Sequence, residues 1–241
     1  MPSISAPSKI AATKGYGAKV SFCGPTLQER QAAVEEVIKK TGATLVPPFD
    51  HVNIILGQGT LVLELEQQVK ELTNGNSRLD AVITPCGGGG MLSGVATAMI
   101  GTGVQVFGAE PSFQGGDDCR RGLAEGKHVR VVKTLTIADG LRTPVGAIPW
   151  TVINDPTKVR AVFAVTEEQI RQAVKLVVDR MKILIEPSAA VPVAAVLYNE
   201  EFRRLVQREA GRDGVWNVGV VLSGGNMTLE AMAKLFSGPK L

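Results

Sequence analysis

The stretch Ala-Val-Ile-Thr-Pro-Cys-Gly-Gly-Gly-Gly-Met-Leu-Ser-Gly at residues 81–94 decides the fold. Its apolar, β-branched beginning predicts a strand over residues 80–84, and an apolar helical stretch starts at Met91. Four consecutive glycines, Gly87 to Gly90, join the two. Glycines at a strand-to-helix turn let successive backbone amides face one concavity beside a helix N-terminus. The turn therefore predicts an anion site, with phosphate as its natural occupant.

Two nucleotide-binding patterns do not fit this glycine loop. It is neither G-x-G-x-x-G followed by an acidic ribose partner nor G-x-x-x-x-G-K-[ST], so dinucleotide and Walker interpretations both fail. A tight turn without a ligand is the alternative, but four glycines in a row cost backbone entropy that such a turn does not require.

Outward from the loop, short β-branched runs alternate with amphipathic stretches, which predicts an α/β fold with parallel sheets covered by helices. A strand, a helix and a second strand over residues 18–46 predict a βαβ unit. The near-continuous apolar run at 215–222 predicts a strand at the centre of a parallel sheet. The predicted strands are 18–23, 43–46, 80–84, 104–109, 160–165 and 215–222. The predicted helices are 26–40, 60–73, 166–181 and 228–236, with others starting at Met91 and Ser188.

Two capping boxes support the predicted helix starts, Thr26 with Glu29 and Thr166 with Gln169. Gly42 supplies a stop for the first of these helices. Residues 110–150 are rich in loop-forming residues and predict little regular structure.

The amino-acid composition indicates a globular protein and argues against several other classes. The 241 residues are 44% hydrophobic and 20% charged, which is typical of a globular chain. A net charge of +3 and only 5% aromatic residues argue against nucleic-acid binding. Three cysteines without metal-binding spacing predict neither a zinc site nor a disulfide framework. The absence of a secretory signal and of a long apolar run predicts a soluble, cytoplasmic protein that does not bind membranes.

Three further motifs are candidate sites, each with a plainer alternative. Ser223 begins Ser-Gly-Gly-Asn at the carboxyl end of a predicted strand, where open α/β sheets bind ligands, although it could simply cap a helix. Glu186 could lie near a ligand or could serve as a first-turn acid favoured by the helix dipole. Glu110 with Asp117 and Asp118 suits a hard divalent cation, and a solvated acidic loop is the alternative.

Together these motifs resemble the fold-type II pyridoxal-phosphate (PLP) enzymes, which are tryptophan synthase beta-like, and specifically the serine racemase and serine/threonine dehydratase family. The resemblance runs nearly end to end and follows the family's order. The matching stretches are YGAKV at 16–20, GQGT at 57–60, PCGGGGMLSG at 85–94, EPS at 110–112, IADGL at 137–141, VTEEQI at 165–170, ILIEPSAA at 183–190 and VLSGGN at 221–226.

The resemblance implies roles for single residues. Gly87, Gly88, Gly89, Gly90 and Met91 would hold the PLP phosphate. Ser223 would hydrogen-bond the pyridine nitrogen, with Glu186 and Gly140 beside the ring. Glu110, Asp118 and the Gly116 carbonyl would bind Mg²⁺, or Mn²⁺ or Ca²⁺ in its place. Tyr16 and Arg30 fall where racemases bind ATP as an effector between the subunits of a homodimer.

One departure from the family pattern concerns catalysis. The family's Schiff-base lysine motif, S-x-K-x-R-G-A, and its S-S-G-N substrate loop are not in this sequence. The lysines present fall mostly on predicted helix faces or loops, including Lys39, Lys40, Lys70, Lys175 and Lys182. We therefore expect a chain that lacks the N-terminal part and is inactive alone.

The resemblance implies residues 1–52 as the remnant of a small domain and 53–241 as an incomplete large PLP-binding domain. The function implied is a PLP-dependent racemase or ammonia-lyase of L-serine or L-threonine. A dead pseudoenzyme with a phosphate pocket, or a structural remnant, is the alternative. The sequence does not separate racemase from dehydratase, because both begin by removing the same α-proton.

Overall fold

The computed structural model describes residues 1–5, 7–24, 27–210 and 214–237. Contacts divide the chain into two units, Met1–Pro47 with Asn226–Leu241, and Pro48–Gly225. The boundary predicted from the sequence lies after residue 52, and residues 226–241 were predicted to belong to the large domain. The roles of the two predicted domains stay predictions.

The unit Pro48–Gly225 is built on a parallel sheet of four strands. They are β1 (Ala81–Pro85), β2 (Gln105–Pro111), β3 (Ala161–Val165) and β4 (Val218–Val220), in the order β3-β2-β1-β4. Ala81 is in register with Gln105 of β2 on one side and with Val218 of β4 on the other. All five residues of β1 are buried, as expected for a strand with neighbours on both edges and helices on both faces. The predicted α/β class is confirmed.

The predicted place of the last strand is wrong. Among the described residues, β4 lies at the edge of the sheet and is shorter than the predicted 215–222. An apolar run indicates that both faces of a strand are covered by other elements. It does not indicate whether the strand has a neighbour on one edge or on both. Val215 is 86% exposed and lies before the strand.

The helices follow the predicted alternation and add to it. Their bounds are α1 (Pro7–Gly15), α2 (Leu27–Thr41), α3 (Val52–Leu72), α4 (Gly90–Ala98), α5 (Asp118–Glu125), α6 (Ala147–Ile153), α7 (Glu167–Met181), α8 (Pro187–Tyr198), α9 (Glu200–Ala210) and α10 (Leu229–Ser237). α1 and α9 were not predicted, and α5 and α6 lie in the region expected to be mostly loop. None of the described helices is both long and apolar enough to cross a lipid bilayer.

The capping predictions have different outcomes. The box at Thr166 is confirmed, since its hydroxyl accepts from the Gln169 amide and the Gln169 side chain accepts from the Thr166 amide. Thr26 of the other box lies outside the described residues. The helix α8 was predicted to start at Ser188, but Glu186 holds its N-cap position and Ser188 lies in the first turn. The stop at Gly42 is confirmed by its left-handed φ of 69°.

The predicted βαβ unit of residues 18–46 is wrong, although its helix, α2, forms. Described residues 18–23 and 43–46 contain no strand, and the only pairing is a single bridge between Pro2 and Cys23. Both stretches are half-buried or exposed, with Val46 73% exposed. A pair of short strands needs further strands or a covering helix to be stable, and residues 43–46 are exposed rather than covered.

The packing of α3 on α4 positions the glycine loop. A Cβ on Gly59 of α3 would lie 2.7 Å from the Gly94 carbonyl oxygen of α4, and a Cβ on Gly94 would lie 2.3 Å from the Ile55 oxygen. Both sites therefore need glycine for the close approach of the two helices. This contact explains Gly59 of the GQGT motif and holds α4 behind the loop.

Candidate active site

One cavity lies at the carboxyl ends of β1 and β4 and at the N-terminus of α4. Its volume is about 240 Å³. It brings together all eight residues predicted to bind the cofactor, together with five residues that the sequence analysis did not select. The lining is Pro48, Gln58, Pro85, Gly87, Gly88, Gly89, Gly90, Met91, Gly140, Leu141, Glu186, Ser188 and Ser223.

The glycine loop forms one wall, and its backbone has little room for side chains. Gly89 precedes α4 with a left-handed φ of 83°. A Cβ on Gly88 would lie 2.2 Å from the Phe49 ring. The first hydrogen bond of α4 runs from the Ser93 amide to the Gly89 oxygen at 2.9 Å, so the amides before Ser93 precede the helical ladder. Those amides and the helix dipole make this wall suitable for an anion.

A carboxylate outside the cavity holds this loop in place. The two oxygens of Asp50 accept from the amides of Ala147 at 3.0 Å and Ile148 at 2.8 Å, which caps the start of α6. The neighbouring Gly146 amide donates to the Gly88 carbonyl at 3.0 Å. Asp50 therefore positions the glycine loop through α6. Asp50 was not predicted, because an aspartate shortly after two prolines indicates only a turn.

The opposite wall is tied together by hydrogen bonds between separate segments. The Gly140 amide donates to the Ser188 hydroxyl at 3.0 Å, and the Glu186 amide donates to the Gly224 carbonyl at 3.1 Å. A Cβ on Gly224 would lie 3.2 Å from Glu186 Oε1, which places this carboxylate beside the loop that follows β4. Ser188 is thus a wall residue and a positioning group for Gly140.

The segment that carries Gly140 is held from outside as well. Glu167, at the start of α7, accepts from the Thr136 hydroxyl at 2.6 Å and from the Ile137 amide at 3.0 Å. Arg142 donates twice to the Thr136 carbonyl, at 2.9 and 2.7 Å. These bonds explain the IADGL and VTEEQ motifs as partners across the fold.

The residues present fit a phosphate-bearing ring. The amide wall receives an anion, while the other side offers a carboxylate at Glu186 and hydroxyls at Ser188 and Ser223. None of the described lining residues is lysine or arginine, so amides and the α4 dipole would carry the phosphate charge. The five lysines that the sequence analysis placed on helices or loops are all exposed.

The residues of the predicted metal site are buried. The Glu110 carboxylate accepts from the Cys119 amide at 3.1 Å and the Arg120 amide at 3.0 Å. Burial raises the pKa of Glu110 well above its usual range. Burial also raises the pKa of Asp118, to about 6, against the opposing effect of the hydrogen bond from the Val145 amide at 3.2 Å.

Gly116 is buried next to the Pro111 carbonyl. A hard-cation site made by Glu110, Gly116 and Asp118 stays a prediction. Tyr16 is exposed and Arg30 is half-buried, and their predicted ATP role likewise stays a prediction.

Two buried thiols share the surroundings of Glu110. The ligand atoms of Cys86, Cys119 and Glu110 lie within 4.8 Å of one another, and all three residues are buried. The pKa of the Cys86 thiol is raised, mainly by a hydrogen bond with Cys119 and to a smaller extent by burial. This cluster was not predicted, because its members come from three separate segments of the chain and no local spacing connects them.

Comparison with known proteins shows that the chain is similar to enzymes that depend on pyridoxal phosphate. The family model described as "Pyridoxal-phosphate dependent enzyme" matches residues 1–224. A serine racemase from Dictyostelium discoideum is 41% identical, covering 96% of this chain and 67% of the relative. An L-threo-3-hydroxyaspartate ammonia-lyase from Saccharomyces cerevisiae is 33% identical, covering 99% and 68%.

The structure gives the same result. Maize serine racemase superposes with a TM-score of 0.85 at 33% identity, covering 97% of this chain and 67% of that one. The chain spans about two thirds of the length of the curated relatives it matches.

Proposed function

Because this chain belongs to the pyridoxal-phosphate dependent enzyme family, we propose that it carries the cofactor site of a racemase or ammonia-lyase (dehydratase) acting on L-serine or L-threonine. The observation that carries the proposal is that the glycine loop, Glu186 and Ser223 line one and the same cavity. The names of the relatives support the substrate class, since they include serine racemases and an ammonia-lyase of a hydroxy amino acid. Homodimer formation and cytoplasmic location stay predictions.

Each wall of the cavity has a separate task in this proposal. The amides of Gly87 to Met91 would bind the cofactor phosphate, and the Ser223 hydroxyl would donate a hydrogen bond to the ring nitrogen. A neutral hydroxyl at this position leaves the nitrogen largely unprotonated, which limits how strongly the ring withdraws electrons. When bound, pyridoxal phosphate supplies an electron sink for the negative charge left when an amino acid loses its α-proton. Glu186 and Gly140 would orient the ring from the side.

A second candidate, a pseudoenzyme that binds the cofactor without turnover, rests on one observation. No lysine is among the described residues that line the cavity. An amine is the group that forms a Schiff base with the cofactor carbonyl and that can move the α-proton. We therefore expect the 241-residue chain to bind the cofactor and to show no turnover alone.

Cofactor binding is tested at Gly88. Gly88→Asp would add a negative charge to the anion wall and a Cβ that overlaps the Phe49 ring. We expect pyridoxal phosphate affinity, measured by equilibrium dialysis, to fall at least ~100-fold, about 2.7 kcal/mol. The matched control is Gly57→Asp, because a Cβ on Gly57 meets no atom within 4 Å and this residue is exposed. Equal affinity of the two variants would contradict the proposed phosphate wall.

Turnover separates the two candidate functions. The chain is mixed with pyridoxal phosphate and L-serine, and pyruvate and D-serine are followed against a cofactor-only control. Borohydride reduction and peptide mapping then locate any lysine bonded to the cofactor. We expect neither product nor adduct. Either product together with a mapped lysine adduct would show that this chain supplies its own amine and would overturn the pseudoenzyme candidate.

A further inference from the structure

A buried cluster of two thiols and one carboxylate lies behind the cavity. Cys86 directly follows β1, Glu110 lies in β2, and Cys119 is the second residue of α5. They are 1%, 0% and 1% exposed, and one ligand atom of each lies within 4.8 Å of those of the others. Three separate elements therefore deliver three metal-ligating groups to one point in the core.

The cluster contains a buried acid without a cationic partner. Glu110 accepts hydrogen bonds from two backbone amides, and within the described residues no lysine, arginine or histidine forms an ion pair with it. A buried carboxylate is costly as an anion unless a cation compensates it. Each oxygen uses one lone pair for an amide, so each has another available for a metal ion.

We propose that Cys86, Cys119 and Glu110 bind a thiophilic divalent cation of the zinc type. Two sulfur ligands and one oxygen ligand favour zinc over magnesium or calcium, which prefer oxygen alone. Tetrahedral zinc at ~2.3 Å from each sulfur sets the two sulfurs ~3.8 Å apart, within the spacing that the cluster already has. On binding the ion, both thiols and the Glu110 carboxyl group give up their protons to the buffer, so two thiolates and one carboxylate offset the charge of the ion.

This site differs from the hard-cation site implied by the family resemblance. Asp118 is not a member of the cluster, and its Oδ2 accepts from the Val145 amide instead. Glu110 belongs to both candidate sites. The presence or absence of sulfur ligands around the bound ion therefore shows which of the two sites it occupies. Because Cys86 directly precedes Gly87, a bound ion would also connect the base of the glycine loop to α5.

The first experiment uses the wild-type chain and does not depend on any variant. The protein is freed of metal with a chelator and titrated with Co²⁺ and with Zn²⁺. We expect one ion per chain, a sulfur-to-cobalt charge-transfer band in the near ultraviolet, and zinc X-ray absorption that shows two sulfur neighbours at ~2.3 Å. Zinc surrounded only by nitrogen and oxygen, or no binding at micromolar zinc, would overturn the proposal.

Variants then identify the ligands. Cys119→Ser is expected to weaken zinc binding at least ~100-fold and to remove much of the charge-transfer band. Cys23→Ser removes the remaining cysteine, which lies in the other unit, and is expected to change neither. Asp118→Asn is expected to weaken zinc binding far less than Cys119→Ser does, because Asp118 is not a member of the cluster. Weaker binding in Cys23→Ser or Asp118→Asn, with Cys119→Ser unaffected, would place the ion elsewhere and refute the assignment.

Discussion

Residues 1–47 and the segment from β1 to β2 have the same kind of sequence and different structures. Both alternate β-branched runs with helical stretches, and the same reasoning predicts strands in both. Among the described residues, only the second segment contains strands, which pair in register with each other and with their neighbours. In the described part of the first segment, the helices α1 and α2 form and the predicted strands do not.

The difference reflects where each element's hydrogen bonds are made. A helix satisfies its backbone within one segment, so α1 forms although none of its residues is buried. A strand needs partners from elsewhere in the chain and a layer that buries its side chains. β1 has β2, β4, α4 and α8 around it, whereas residues 43–46 are exposed.

Matched valines in the two segments should give the largest difference in stability. Val82 of β1 is fully buried, and Val46 is 73% exposed. Val82→Ala should lower the free energy of unfolding by ~2–3 kcal/mol, through lost burial and an unfilled cavity. Val46→Ala should change it by less than ~0.5 kcal/mol. Urea unfolding of both variants measures this, and equal losses would mean that residues 43–46 are buried in the folded protein.

Removing a helix cap should affect cofactor binding in one unit and not in the other. Asp50 caps α6, and the Thr228 hydroxyl accepts from the Ala231 amide at the start of α10. Asp50→Ala and Thr228→Ala should each cost ~1 kcal/mol of stability. Only Asp50→Ala should also weaken pyridoxal phosphate binding, because α6 holds the Gly88 carbonyl through Gly146. Equal cofactor affinity in both variants would remove the positioning role of Asp50.

The smallest effect is expected at a surface turn that is stabilised locally. Hydrogen bonds from Thr157, with Lys158 nearby, lower the pKa of Asp155 to about 2. A depressed pKa stabilises the folded state at pH values above the unfolded pKa of ~3.9, and this stabilisation is lost as the pH falls toward 2.

Asp155→Asn should therefore be slightly less stable than the wild type at pH 7, and the difference should shrink below pH 4. Unfolding midpoints of both proteins between pH 2 and 7 test this. A difference that stays constant across that range would show that the carboxylate charge is not what stabilises the turn.

Much of the candidate site could be predicted because its residues follow strands. The glycine loop follows β1 and Ser223 comes shortly after β4, and parallel strands end at the same edge of a sheet. The groups that hold the site could not be predicted in this way. Asp50 and Glu167 act through hydrogen bonds to segments distant in the sequence, at Ala147 and Ile137 among others.

The sequence by itself determined many of the elements whose bonds are local: the glycine turn, six of the ten described helices and the Thr166 cap. It also determined the family, because many short motifs occur in one order. Only the tertiary structure decided which strand lies at the edge, which β-branched runs pair, and that Cys86, Cys119 and Glu110 meet in the core. The physical reason is that these outcomes depend on partners from distant segments, and the spacing of residues along the chain does not encode which segments come together.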